Sequence, residues 1–158
     1  MILFCDTSAL LKLYIVETDS DVVKAKVAEA EAVAVCRVSW AEAHAALSRR
    51  AREVPEDAPV IEQAKQALAA DWPCYVVMEV NQVLVERAGD YADTFALRGY
   101  DSVQLAAAYE AGRIAQTPIW AMIIVSAITS CDGSQEGFRR RRWRPFPCWP
   151  SRHRDAVQ

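Results

Sequence analysis

The 158-residue sequence predicts an α/β fold, a central mostly parallel sheet of four to five strands with helices on its faces, and three observations carry that expectation. Apolar runs recur at residues 2–5, 32–36, 75–80 and 119–128, each bounded by polar or turn-forming residues. Between them the apolar positions fall at helical spacing, as in Trp40, Ala43, Leu47 and Ala51 and again in Leu84, Ala88, Tyr91 and Phe95. Strands that alternate with helices must be joined by crossovers, and a crossover returns the chain parallel to its start. The length suits a single domain with a sizeable core.

The first run is closed by Asp6, with Thr7 and Ser8 as candidate helix caps before a helical stretch from Ala9 to Tyr14. Asp19, Ser20 and Asp21 suit the start of a helix over residues 20–30, where acidic groups meet the positive end of the dipole. The second run follows directly. Ser39 opens the next helix, and Pro55 fits the first turn of another that Trp72-Pro73 stops, giving a helical hairpin. After the third run a long helix leads to Gly99, which interrupts the pattern, and Tyr100 begins a largely apolar helix through Tyr109. Gln116-Thr117-Pro118 turns the chain into the fourth run, which ends near Asp132.

With 53% hydrophobic and 25% charged residues, the composition excludes a disordered or fibrous chain. Residues 119–128 are far too few to span a bilayer, and the N-terminus lacks a basic leader, so a cytoplasmic protein without a membrane partner is expected. Cys5, Cys36, Cys74, Cys131 and Cys148 form no C-x-x-C pair and read as small hydrophobes in a reducing compartment. Charge is uneven: residues 1–132 carry −8, and residues 133–158, with seven arginines, carry +5. An acidic body argues against loose electrostatic binding of nucleic acid, though bound cations can neutralise clustered carboxylates.

Four acids stand where the predicted topology can bring them to one edge of the sheet. Asp6 follows the first strand, Glu42 lies in the first turn of the helix after the second, Asp101 opens its own helix, and Asp132 ends the fourth run. Crowded carboxylates repel one another, so such a cluster is held together by a divalent cation, and oxygen-only ligands favour Mg²⁺ or Mn²⁺. Two of the acids also have a simpler explanation. Ser39-Trp40-Ala41-Glu42 is a capping box in its own right, and Asp101 suits a helix start. Asp6 is harder to explain that way, since an acid straight after a buried strand is costly unless it is paired.

The segments 4–14 (FCDTSALLKLY), 39–42 (SWAE) and 97–106 (LRGYDSVQLA) closely resemble, in order, the three main motifs of VapC-type PIN domains. The resemblance spans about residues 1–112 and implies a three-layer PIN-like fold and an endoribonuclease toxin that uses Mg²⁺ or Mn²⁺. It implies Asp6, Glu42 and Asp101 as catalytic metal ligands, with Asp132 as the fourth, and Ser8 as the hydroxyl supporting Asp6 or a bound water. It further implies an RNA substrate, a cognate antitoxin and a homodimer. The alternative is a degenerate PIN domain that binds partners without turnover. A haloacid-dehalogenase-like phosphatase would need an acid where Ser8 stands, and a dinucleotide-binding enzyme would need glycines in Asp6-Thr7-Ser8-Ala9.

These readings divide the chain into a nuclease domain, residues 1–132, and a basic Pro/Trp-rich tail, residues 133–158, in place of the closing helix the family would supply. The tail's arginines and tryptophans could contact an RNA backbone and its bases, with a solvated tail as the simpler reading. His44 is expected at the edge of the core, His153 lies in the tail, Glu79 is expected to be structural, and Arg98 to pack at a helix end or hold phosphate.

Overall fold

The computed structural model describes residues 1–116 and the strand 119–122. Four parallel strands form one sheet: β1 (Ile2–Cys5), β2 (Ala32–Cys36), β3 (Val76–Met78) and β4 (Ile119–Met122), in the order β3-β2-β1-β4. Cys5 is in register with Val35 on one side and Met122 on the other. The chain therefore lays strands outward in one direction from β1 and then crosses to its opposite flank. The crevice beyond the strand ends at such a reversal is where open α/β sheets receive ligands.

Six α-helices accompany the sheet among the described residues: α1 (Thr7–Leu11), α2 (Ser20–Glu29), α3 (Ser39–Glu53), α4 (Ala58–Asp71), α5 (Gln82–Phe95) and α6 (Gly99–Ala115). Alternation along the strands divides the core into two layers of contact. Ile2, Phe4, Ala34, Cys36 and Met78 face Leu84 and Ala88 of α5 and a row of alanines on α6, from Ala106 to Ala115. Leu3, Cys5, Val33 and Val35 face the other way, onto Ala9 and Leu10 of α1, Val23 and Val27 of α2, Ala43 of α3 and Leu68 of α4. Leu47, Ile61 and Ala64, joined by Ile15, seal the α3/α4 hairpin. Helices thus cover both faces, in the three-layer arrangement expected.

Several boundaries differ from the sequence reading. The first helix starts at Thr7, with Asp6 as its N-cap, and ends at Leu11 rather than Tyr14. Pro55 begins a separate 3-10 turn, Pro55–Asp57, and α4 starts afresh at Ala58. The third strand is only Val76–Met78, because β2 ends at Cys36, opposite Met78, and offers nothing further to pair with. The break before α6 lies at Ala96, in left-handed conformation with φ 52°, while Gly99 is the first residue of the helix. No described helix is long and apolar enough to cross a membrane. Asp132, Cys131, Cys148, His153 and the whole tail lie outside the described residues.

Candidate active site

Strand β1 is buried along its length and delivers Asp6, 7% exposed, to the carboxyl rim of the sheet beside the topological reversal. Asp6 Oδ1 accepts from the backbone N–H of Ala9 at 2.7 Å and from Ser8 Oγ at 2.8 Å. These bonds anchor the start of α1, and they also fix the carboxylate rotamer. Ser8 thus bonds Asp6 directly. Burial, and then the negative charge of Asp6, push the neighbouring Cys5 thiol up to about 12.

Glu42 is half-buried in the first turn of α3. The capping box available to it does not form: Val38 is the N-cap of α3, with no side-chain capping bond, and Ser39 is fully buried. Glu42 instead turns toward the β1 corner, where its Oε2 accepts from the Thr7 hydroxyl and, at 2.8 Å, from the amide of Gln104. The same amide nitrogen lies 2.9 Å from Thr7 Oγ1 and 2.9 Å from Ser39 Oγ. Three segments remote in sequence are joined at this one point.

Asp101 is half-buried in the first turn of α6. It stands three residues before Gln104, a spacing that puts both on one side of the helix. Arg98 is the N-cap of α6 and makes no side-chain capping bond. The structure therefore places Glu42 against Thr7, the residue that follows Asp6, sets Asp101 on the helix that carries Gln104, a partner of Glu42, and leaves Asp132 outside the described residues.

Among the described residues no three Asp, Glu, His or Cys side chains close into a ready-made metal cluster. The donor chemistry nonetheless fits a hard divalent cation, because every candidate donor is a carboxylate oxygen. Among the described residues both hydrogen bonds to Glu42 fall on Oε2, so Oε1 is the atom with coordination to offer.

Sequence reasoning missed Thr7 as a partner of Glu42 and Gln104 as the hub between them. Both stood within the quoted motifs, but nothing local distinguishes a polar residue that bonds across the fold from one that faces water. Other residues fall as expected. His44 is half-buried against Trp40, with ring centroids 4.6 Å apart, and Cys5 and Cys36 are buried thiols. Glu79 forms an exposed ion pair with Arg37, the two residues that follow β3 and β2, and the guanidinium holds its carboxyl below the usual range.

The sequence matches the PIN domain family over residues 3–117, a span that ends before Asp132. It is similar to two proteins of Mycobacterium tuberculosis, Ribonuclease VapC45 of strain CDC 1551 / Oshkosh and Ribonuclease VapC49 of strain H37Rv. Each is 30% identical over 111 residues, which cover 70% of this chain and 77% of the relative.

Proposed function

This chain belongs to the PIN-domain family, and from that premise we propose that it is a VapC-type toxin, a metal-dependent endoribonuclease restrained by a cognate antitoxin. The observation that carries the reading is the hydrogen bond that holds Glu42 to Thr7, next to Asp6, at the carboxyl rim of β1, where the strand order reverses. Asp6, Glu42 and Asp101 would hold Mg²⁺ or Mn²⁺, with Asp132 as the fourth carboxylate. Such an ion, when bound, lowers the pKa of water and neutralises charge building on a phosphodiester.

The protein's own part is orientation. Ser8 and the Ala9 N–H hold Asp6 in one rotamer, and Thr7 holds Glu42. Charged carboxylates kept in fixed positions before the ligand arrives need little rearrangement when it does. The RNA phosphate would approach from beyond the strand ends, since helices cover both faces of the sheet. The two relatives, named as ribonucleases, support RNA as the substrate, and the antitoxin partner and a homodimeric working unit belong to the same proposal.

Calorimetric titration of Mn²⁺ into wild type and Asp6→Asn, beside a cleavage assay on varied RNAs, tests the reading. Binding and cleavage by wild type, both lost in the variant, are expected. Binding without cleavage of any RNA would turn the conclusion to a PIN domain that serves as a binding protein only. Absence of Mn²⁺ binding by wild type would overturn the metal-dependent reading outright.

A further inference from the structure

Gln104 is 4% exposed on α6, in a stretch where the other fully buried positions are alanines and one serine. Its Nε2 has three acceptors within reach, Glu42 Oε2, Thr7 Oγ1 and Ser39 Oγ, yet a primary amide carries only two hydrogens. Its Oε1 has no hydrogen-bond partner among the described residues. Turning the amide over would set that oxygen against the Glu42 carboxylate and forfeit the donor, so the nitrogen must face the acid. A buried carbonyl left unpaired is costly, and an apolar side chain would avoid the cost. The arrangement makes sense if the donor end has a task that outweighs the orphaned acceptor.

We propose that Gln104 is a positioning residue for the metal centre: with Thr7, its buried amide clamps Oε2 of Glu42, so that Oε1 is presented to the cation. This rests on the reading of Glu42 as a metal ligand. The Thr7 hydroxyl spends its one proton on Glu42 and receives the amide with a lone pair, so both donors converge on the same carboxylate oxygen. A carboxylate pinned by two donors on one oxygen loses its freedom to rotate, and the other oxygen acquires a fixed direction. Loss of partners of this kind, outside the ligands themselves, typically lowers metal affinity by about 10–100-fold. Because Asp101 sits on the same helix, the clamp also ties the position of α6 to the Asp6 corner.

The test uses the full chain, free of metal and then titrated with Mn²⁺ alone. Gln104→Met keeps the length and bulk and removes both amide groups. The expected result is Mn²⁺ affinity lower by about 10–100-fold with the melting temperature little changed. A purely structural role would move the melting temperature and leave affinity at the wild-type value, which overturns the inference. If wild type binds Mn²⁺ and Asp6→Asn does not, while Gln104→Met binds as wild type does, the clamp falls and the metal reading stands. If wild type binds no Mn²⁺, it is the metal reading that falls. Should Gln104→Met not fold, the side-chain amide protons of Gln104 in metal-free wild type decide. They should be protected from exchange and should shift in Glu42→Ala, and signals unaffected by that substitution overturn the clamp.

Discussion

The hydroxyl of Thr7 donates to Oε2 of Glu42, so the residue after the first metal-ligand candidate holds the second. Thr7→Val keeps the shape of the side chain and removes the donor. Stability should fall by about 1 kcal/mol, the usual net value of such a bond. RNA cleavage should fall by about tenfold or more, as for other groups that orient a metal ligand. Cleavage at the wild-type rate by a folded Thr7→Val protein would show that Glu42 needs no such support.

Asp6 caps α1 and is the proposed first metal ligand, two roles that substitution can separate. Asparagine accepts a capping bond about as well as aspartate, so Asp6→Asn should fold with nearly unchanged denaturation midpoint while losing Mn²⁺ binding and cleavage. Asp6→Ala loses the cap as well and should be less stable by about 0.5–2 kcal/mol. Equal stability of the two variants in urea would mean that the bond to Ala9 N–H contributes nothing to the start of α1.

Asn81 provides a control remote from the proposed chemistry. Its side chain caps α5 by accepting from Leu84 N at 3.0 Å. Asn81→Ala should cost about 1 kcal/mol in thermal or urea unfolding. Mn²⁺ affinity should remain that of wild type, and a loss of affinity here would show that metal binding reports general stability rather than the carboxylate corner.

Tyr14 donates to Asp71 Oδ2 at 3.1 Å and shares a hydrogen bond with the Tyr75 hydroxyl. Burial, and then the neighbouring Tyr75 and Asp71, push its phenol well above the ordinary tyrosine range. The folded state therefore keeps a proton that the unfolded chain releases near pH 10. The stabilisation is complete below that pH and declines as pH rises beyond it. Circular dichroism between about pH 9 and 12 should show alkaline unfolding of wild type. In Tyr14→Phe the slope of stability against pH above about 10 should be shallower, and parallel curves for the two proteins would refute the assignment.

Much of this organisation was legible in the order of residues. The runs at 2–5 and 32–36 became strands with the expected bounds, and the Ala43 and Leu47 stripe of α3 is buried, because alternation and helical period are properties of short windows. Asp6 was legible as an anomaly, an acid at the end of a buried strand, but its cap was not, since Thr7 and Ser8 next to it are equally good capping residues. The length of β3 depends on where β2 stops, which no window around residues 75–80 contains. Gln104 escaped for the same reason: its partners Thr7, Ser39 and Glu42 are separated from it by 97, 65 and 62 residues.

The placement of β1 between β2 and β4 has a consequence for synthesis on the ribosome. Ile2 pairs with Ala32, only 30 residues on, but its other neighbour is Ile119, so one edge of the central strand waits for nearly all of the described chain. A nascent or truncated chain lacking residues 119–122 would expose that edge and its unpaired amides to any other extended strand. Long-range parallel pairing of this sort also forms late and slowly. The Asp6 corner, which hangs from the end of the same strand, therefore gains its full support only as translation of these residues is completed.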